Sequence, residues 1–498
     1  MRKQTKLVAV LSAAALLAIG ASMTSFAATP HWDQEDGEWV YLDRNGDKVT
    51  DIWRKSNGQW YYLDEDGYMA KDAMVETGDN LYYVDENGTR VSNAWVSLDN
   101  DDLLDDDDIS TVWYYFDGNG KAVGYDSNDE ETIKRLNYGD GQSGYFIFNG
   151  DGIMLTGWQQ LDNEDIYYLG EENEGWARTG WQFLDTDDEM FDDGDSEGEP
   201  YDDEEWFYFR SNGKARRNST NQIANRWYTF DENGIMLDLW VYKDASGSNT
   251  NASGSSAVAS ASYYQEDNGG RERNWVWAYA NTDYDDYDDD MYWFYLNNQG
   301  QPTKATAGDG AGADLTDGGY DDPEIYDGLT AKSIRNKTYI FDTQGRMRSG
   351  LFLLADVRRG SARLDGFYYF QEDDSHGSVE GQMVTNRRMT IEVDGEDETY
   401  YFKKNGQAYE NTIVSGSLYG GDGALVNDFG DGSTYQVVQT TVPIYTTKAQ
   451  SDNDVIPAGS LILVNGNGKI KKSGTVTDID SQKVRVVNYI VESIEDDN

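Results

Sequence analysis

Short runs of aromatic and aliphatic residues recur along this chain, and each run leads into a polar turn that contains glycine. In WYYLDEDGYMA (60–70), alternation places Trp60 and Tyr62 on one face of a strand and Tyr61 and Leu63 on the other. The glycine of the turn can adopt a positive φ, and a second short strand follows it. The pattern therefore predicts a β-hairpin.

The same unit recurs along most of the chain. The other copies are WVYLDRNGDKV (39–49), LYYVDENGTRV (81–91), WYYFDGNGKAV (113–123), YFIFNGDGIML (145–155), IYYLGEENEGWA (166–177), WFYFRSNGKAR (206–216), WYTFDENGIML (227–237), WFYLNNQGQPT (293–303), YIFDTQGRM (339–347) and two looser ones at 367–383 and 400–408. A lone hairpin leaves its apolar face uncovered, whereas stacked hairpins cover one another. The repeats therefore predict an all-β fold, a solenoid of tandem aromatic hairpins.

Acidic runs interrupt this repeat at one position. The tryptophan that ends one unit is its closing tryptophan, and the one that begins the next aromatic strand is the opening tryptophan. In intact units these two are seven residues apart, as in Trp53 and Trp60 (60 − 53 = 7). Acidic segments widen this interval between Trp95 and Trp113 and again over 182–205, and 283–291 lies in the same place before a later strand. We interpret them as solvated insertions. Weak binding of divalent cations by the clustered carboxylates is the alternative, although the EF-hand spacing is absent.

Composition shifts divide the chain into five parts. A basic start, an apolar run and a small-x-small ending at Ala27 are typical of a secretory signal peptide. A Ser/Gly/Asn/Ala tract is typical of a flexible linker, and the final segment is rich in Val and Ile. The predicted parts are a signal peptide (1–27), a first repeat array (28–243), a linker (244–262), a second, diverged array (263–430) and a small C-terminal β-module (431–498).

Charge and composition exclude several classes of function. The formal net charge is −52, which disfavours binding to nucleic acid and to anionic lipid. The chain has no cysteine and two histidines, so it offers neither thiolate ligands nor a His-rich zinc site. We therefore expect no cofactor. We also expect no membrane span in the mature chain, because no segment after residue 27 has the necessary apolar length.

The repeats resemble the choline-binding and cell-wall-binding repeats of Gram-positive surface proteins, and the related glucan-binding and clostridial-toxin repeats. The resemblance rests on Thr-Gly-Trp followed by an aromatic strand, an Asp-x-x-Gly turn and a methionine, and it covers about residues 32–410. It implies that aromatic side chains of neighbouring hairpins form cages for choline or grooves for sugars. Quaternary ammonium groups favour the faces of aromatic rings, and the apolar faces of sugars stack on such rings.

By position, the resemblance implies an aromatic pocket between successive repeats near the start of the chain. It combines Trp53 and Trp60 with Tyr83 of the next unit, above Met69. These two tryptophans keep the seven-residue interval without an insertion.

A second implied pocket uses Trp32, Trp39 and Tyr62. Trp158 and Trp181 are further candidates, because they retain the Gly-Trp pair of the family. The opening tryptophan is replaced in other units.

We therefore predict a secreted, non-catalytic protein that binds a cell-wall polymer or glycan, choline-bearing polymers included, at the wall of a Gram-positive bacterium. One alternative is a surface adhesin whose acidic loops contact a host protein or matrix. A wall hydrolase is a more distant alternative, because such repeats often accompany hydrolase domains. The segments outside the repeats are too short for an ordinary catalytic domain with its own cleft.

Overall fold

The computed structural model confirms the all-β prediction. It describes residues 29–100, 110–125, 131–139, 141–186, 204–252, 258–280, 291–306, 308–316, 319–372, 379–429, 432–447 and 455–496. Forty β-strands have defined bounds within these ranges. The predicted signal peptide and most of the acidic insertions lie outside the described residues.

The chain divides into two compact units. One comprises the residues up to Asn221 together with Thr229–Met236, and the other comprises Gln222–Tyr228 and the residues from Leu237 onward. The strands up to this division are β1 His31–Glu35, β2 Glu38–Leu42, β3 Ile52–Ser56, β4 Gln59–Leu63, β5 Ala73–Glu76, β6 Leu81–Val84, β7 Ala94–Asp99, β8 Thr111–Phe116, β9 Thr132–Tyr138, β10 Gln142–Phe148, β11 Trp158–Gln160, β12 Ile166–Tyr168, β13 Gly180–Asp185, β14 Glu204–Phe209, β15 Ser219–Ile223, β16 Arg226–Phe230 and β17 Met236–Leu237. Strands β1 to β14 form seven two-stranded antiparallel sheets, each made of two consecutive strands.

The second unit contains larger sheets. Its strands are β18 Leu239–Lys243, β19 Asn249–Asn251, β20 Ser262–Tyr264, β21 Asn274–Tyr279, β22 Met291–Leu296, β23 Ala311–Asp314, β24 Glu324–Tyr326, β25 Thr330–Ile334, β26 Lys337–Phe341, β27 Met347–Arg348, β28 Gly350–Arg359, β29 Ala362–Phe370, β30 Arg387–Val393, β31 Glu396–Phe402, β32 Thr412–Val414, β33 Ser417–Tyr419, β34 Tyr435–Gln439, β35 Ile444–Thr446, β36 Val455–Ile456, β37 Leu461–Asn465, β38 Gly474–Thr477, β39 Gln482–Val487 and β40 Ile490–Asp496. A seven-stranded sheet runs in the order β24-β23-β28-β25-β26-β27, with β29 paired to β28. The second unit contains two large clusters of buried apolar side chains. One includes Leu351 and Tyr400, and the other includes Phe352.

The turn after each aromatic strand follows one local design. The Asp64 carboxylate accepts hydrogen bonds from the backbone amides of Asp66 (3.0 Å) and Tyr68 (2.8 Å). Gly67 donates its amide to the Asp64 carbonyl oxygen at 3.0 Å and has a φ of +81°. An aspartate that satisfies the turn amides and a glycine that tolerates positive φ explain why this pair recurs in the sequence.

Each hairpin of the first unit is bonded to the hairpin before it. The backbone amide two positions after the turn glycine donates a hydrogen bond to a carbonyl oxygen near the start of the preceding hairpin's second strand. These bonds join Met69 to Trp39 (2.8 Å), Arg90 to Trp60 (2.9 Å), Ala122 to Leu81 (2.8 Å) and Met154 to Trp113 (2.8 Å). The nearest-neighbour contacts expected of stacked hairpins are therefore present.

The described part of the predicted linker is packed into the second unit instead of forming a flexible tether. Residues 249–251 form β19, which pairs with β18. Ala252, Val258 and Ala261 are buried against Trp240 in one apolar cluster. Small apolar side chains inside a Ser/Gly/Asn tract fill the space beside this tryptophan. The composition of the tract is typical of a flexible linker and does not indicate this packing role. The division between the two units falls earlier, within 221–237.

The C-terminal residues retain the turn of the repeat. The side-chain oxygen of Asn465 accepts the amides of Asn467 (3.2 Å) and Lys469 (2.9 Å), and Gly468 has a φ of +67°. Ile470 donates its amide to the Gly416 carbonyl oxygen at 3.2 Å, as in the earlier repeats. Among the described residues, no helix has the length and apolar character needed to cross a membrane.

Candidate ligand-binding cages

Four side chains from two successive hairpins meet near the start of the chain, and we call them the first cage: Trp32, Trp39, Tyr61 and Met69. The rings of Trp32 and Tyr61 meet edge to face, with centroids 5.4 Å apart and planes at 72°. Trp39 packs against the same buried cluster, which contains Met69. Tyr61 and Met69 are buried, whereas the two tryptophans are half-buried. Rings that are partly exposed on a buried floor can receive a ligand from solvent.

The hairpins themselves set this geometry. Trp32 lies on β1 and Trp39 on β2, and the register pairs Trp32 with Tyr41 and Gln34 with Trp39. Side chains two apart on a strand share a face, so both tryptophans project from the same side of the hairpin. The bond between Met69 and Trp39 then brings the next hairpin onto that side.

The next pair of hairpins repeats the arrangement with one substitution, and we call this set the second cage: Trp53, Trp60, Tyr82 and Arg90. The rings of Trp53 and Tyr82 are 5.2 Å apart at 64°. Arg90 stands where Met69 stands in the first cage, two residues after the turn glycine. Its guanidinium carbon lies 5.5 Å from the Trp53 centroid, 5.4 Å from Trp60 and 5.5 Å from Tyr82.

The structure brings the predicted tryptophan pairs together but changes their tyrosine partners. Tyr83 does not join Trp53 and Trp60: its ring stacks on Phe116 at 6.1 Å, and its hydroxyl donates to the Asp72 carboxylate. Desolvation by burial and the Asp72 hydrogen bond raise the Tyr83 pKa above its ordinary value.

Tyr62 likewise lies apart from Trp32 and Trp39, because it pairs with Trp53 across the β3–β4 hairpin. The residue one position earlier, Tyr61, faces the preceding hairpin instead. Met69 belongs to the first cage and not to the pocket of Trp53. Alternation assigned the two faces of each strand correctly, but it did not indicate which face meets the preceding repeat.

Trp158 and Trp181 occupy different surroundings. Trp158 packs between Phe207 (4.7 Å) and Tyr168 (5.0 Å) and donates its indole N–H to the Asp185 carbonyl oxygen. Its hairpin opens with Ile166 in place of a second tryptophan.

Trp181 has a tryptophan neighbour. Its ring lies 6.2 Å from Trp206 at 85° and 5.1 Å from Tyr208. Trp206 is 43% exposed, so this pair presents an aromatic surface to solvent.

Sequence reasoning missed a set of the same composition in the second unit, which we call the third cage: Trp275, Trp293, Tyr339 and Met347. Trp275 lies 6.3 Å from Trp293 at 88° and 4.8 Å from Tyr339 at 63°. All four side chains belong to one cluster, in which both tryptophans are only partly buried. Glu380 accepts the indole N–H of Trp293 at 3.1 Å. The methionine two residues after Gly345 was the sequence signal that could have found it.

Another tryptophan pair is closed to ligands. Trp95 and Trp113 are only 8% and 7% exposed and share a core with Phe146 and Met154. The Trp113 indole N–H is bonded to the Asn173 side chain at 2.9 Å. This set keeps the methionine two residues after the turn glycine, but its two tryptophans are 18 residues apart (113 − 95 = 18) and serve packing.

A groove with both polar and apolar walls lies beside the first cage. Its volume is about 650 Å³, and its lining includes Tyr62, Tyr68 and Met69 together with the charged Glu38 and Lys71. The groove offers aromatic and hydrogen-bonding groups along one surface.

No group of three or more His, Asp or Glu side chains within the described ranges is placed to hold a metal ion.

Comparisons with known families place two repeat models on this chain. A choline-binding repeat matches residues 49–95, and a cell wall binding repeat matches residues 109–122 and 201–215. A comparison with curated protein sequences found no match.

Solved structures of proteins from Streptococcus pneumoniae are among those that a structural comparison matches to this chain. The modular autolysin LytC is 18% identical with a TM-score of 0.30, over 55% of this chain and 52% of LytC. CbpJ is 18% identical with a TM-score of 0.27, over 80% of this chain and 100% of CbpJ. Choline binding protein F is 15% identical with a TM-score of 0.24, over 81% and 100%. The alignment thus spans about half the length of LytC.

The strands, the turns and the matched repeats agree with one another. Residues 49–95 contain the second hairpin and its neighbour, which supply Trp53, Trp60 and Tyr82. The chain therefore contains repeats of the choline-binding, or cell-wall-binding, family.

Proposed function

We propose that this protein binds choline-bearing cell-wall polymers through aromatic cages between successive hairpins. The observation that carries the proposal is the first cage. In it the half-buried rings of Trp32 and Trp39 lie next to the buried side chains of Tyr61 and Met69. A quaternary ammonium is poorly hydrated and is attracted to ring faces at ~0.5–2 kcal/mol per contact.

Two cages support this function best. In the first and third cages, no lysine or arginine among the described residues lies over the rings of either tryptophan pair. A chain with several weak sites gains strength on a polymer that carries many copies of the ligand, because each further binding event is intramolecular. The net charge of −52 also favours a cationic ligand group over an anionic one.

We further propose that the protein is exported, is associated with the wall of a Gram-positive bacterium and acts by binding and not by catalysis. The signal-peptide pattern at 1–27 and the repeats matched at 49–95 support this assignment. Loss of turbidity in a suspension of purified walls would instead indicate a wall hydrolase.

Co-sedimentation with purified walls tests the proposal. Binding to choline-bearing walls, and its release by free choline, are the expected results. Binding that free choline leaves unchanged would favour recognition of a sugar in the groove that contains Tyr62 and Tyr68. Absence of binding to any wall fraction would contradict the proposal and favour the adhesin alternative.

Matched variants locate the site. Trp39→Ala removes one aromatic wall of the first cage and should therefore weaken wall binding. Tyr445→Ala removes an aromatic ring that is 47% exposed in the second unit and belongs to no cage. The control should bind walls as the unchanged protein does.

A further inference from the structure

Arg90 carries a positive charge into the centre of the second cage. Its guanidinium carbon is nearly equidistant from three ring centroids, at 5.4 to 5.5 Å. These separations are within the ~6 Å range in which a cation is attracted to a ring. The position between the rings of Trp53, Trp60 and Tyr82 is the one that a cationic ligand would need.

Local structure holds the arginine in place. Its backbone amide donates to the Trp60 carbonyl oxygen at 2.9 Å. Gly120 of the following turn lies against its side chain, since a Cβ at that glycine would be 2.8 Å from the Arg90 Nε atom. No described carboxylate forms an ion pair with Arg90. The aromatic rings are therefore its main partners.

Burial lowers the pKa of Arg90 from its ordinary value, and the dominant cause is desolvation. The guanidinium still stays charged at neutral pH, because an arginine pKa lies far above 7. A second cation, Lys55, approaches Trp60 at 5.7 Å. The second cage thus already contains the charge that the first cage lacks.

The same substitution occurs once more. Arg271 stands two residues after Gly269, and its guanidinium carbon lies 4.9 Å from the Trp227 centroid. Its amide donates to the Trp227 carbonyl oxygen at 2.8 Å, the bond that Arg90 makes with Trp60. Arginine at this repeat position therefore places its charge on the opening tryptophan in both units.

We propose that Arg90 is a built-in occupant of the second cage, which excludes cationic ligands from Trp53 and Trp60 and fastens two hairpins together. Among the cages whose tryptophans are partly exposed, the residue two positions after the turn glycine then decides access: methionine leaves the cage open, and arginine fills it. Occupancy by Arg90 stands by itself, whereas its consequence for choline rests on the proposed function.

Nuclear magnetic resonance of the full chain with labelled arginine and tryptophan tests this proposal. Ring currents should shift the Arg90 side-chain signals upfield of those of Arg485, which is exposed. Trp60→Ala should remove much of this shift. Arg90 signals that coincide with those of Arg485 would overturn the proposal.

Titration with choline chloride gives the second readout. In the unchanged protein, choline should perturb Trp32 and Trp39 but not Trp53 and Trp60. Arg90→Met installs the residue that the first cage uses, so the fold should tolerate it. In this variant Trp53 and Trp60 should respond in the concentration range that perturbs Trp32 and Trp39, about tenfold or more below any response of Trp53 and Trp60 in the unchanged protein, because the competing guanidinium is gone.

The converse and conservative variants separate the outcomes. Met69→Arg should silence the first cage, and Arg90→Lys should keep the second cage closed. Equal responses of Trp53 and Trp39 in the unchanged protein would overturn the proposal. Upfield Arg90 signals without any choline response would refute the proposed function while upholding the occupancy.

Discussion

The backbone amide of Met69 donates a 2.8 Å hydrogen bond to the carbonyl oxygen of Trp39. This bond ties the turn of one repeat to the opening tryptophan of the repeat before it. It also fixes the methionine side chain beneath the rings of Trp32 and Trp39. The same contact therefore holds the fold together and forms the candidate site. Substitutions of half-buried cage residues and of buried core residues should separate the effect on binding from the effect on stability.

Replacing Trp39 should affect binding more than folding. The ring is half-buried, so Trp39→Ala removes ligand contact without opening a large core cavity. The loss of one cation–π contact, at ~0.5–2 kcal/mol, corresponds to about 2- to 30-fold weaker choline binding. Choline titration followed by tryptophan fluorescence, with melting temperature on the same samples, measures both effects. A collapse of melting with unchanged binding would place Trp39 in the core.

Replacing Trp240 should do the reverse. This side chain is 1% exposed, packs beside Phe294 and donates its indole N–H to the Tyr279 carbonyl oxygen at 2.9 Å. Trp240→Ala should lower the free energy of unfolding of the second unit by ~3–5 kcal/mol, the usual range for a buried tryptophan. Denaturant unfolding tests this, with Tyr445→Ala as the exposed aromatic control. Equal losses in the two variants would contradict the assignment of Trp240 to the core.

Gly88 should be required for packing as well as for backbone conformation. It has a φ of +73°, and a Cβ there would lie 2.8 Å from the Met69 Cε atom and 2.9 Å from the Ala70 carbonyl oxygen. Gly58 also has a positive φ, +87°, but open space around it. Both alanine variants should bear backbone strain of ~1–3 kcal/mol, and only Gly88→Ala should also displace Met69 and weaken choline binding. Unfolding and choline titration of the two variants check this, and equal behaviour would argue against a packing role.

Asp314 should make the second unit less stable as the pH rises from 5 to 7. Burial raises the pKa of its carboxyl from 3.8 to about 6, although hydrogen bonds from the Thr316 amide and hydroxyl oppose the shift. In this window the folded chain binds more protons than the unfolded chain, so stability falls with increasing pH. The effect should be about 1 kcal/mol.

Asp314→Asn provides the matched test, because the amide oxygen can still accept the Thr316 hydrogen bonds. The variant should lose about 1 kcal/mol less stability than the unchanged protein between pH 5 and pH 7. Denaturant unfolding at both pH values measures the difference. A parallel pH dependence in the two proteins would contradict the raised pKa.

Much of the fold could be predicted from the sequence, because its rules are local. Alternation fixed the strand faces, and the Asp-Gly turn of Asp64 and Gly67 fixed the hairpins. The seven-residue interval located the tryptophan pairs. The tyrosine partners could not be predicted, because the sequence does not show which strand face meets the neighbouring hairpin. The cation supplied by Arg90 also emerges only when three rings converge on it.

A crystal structure of the protein grown with choline would show whether the open cages bind choline. A quaternary nitrogen should lie within ~6 Å of the ring centroids of Trp32, Trp39 and Tyr61. A second choline should lie between Trp275 and Trp293, and the Arg90 guanidinium should stand in place of choline at Trp60. Choline bound away from the tryptophan pairs, or empty first and third cages at saturating choline, would refute the proposed cages.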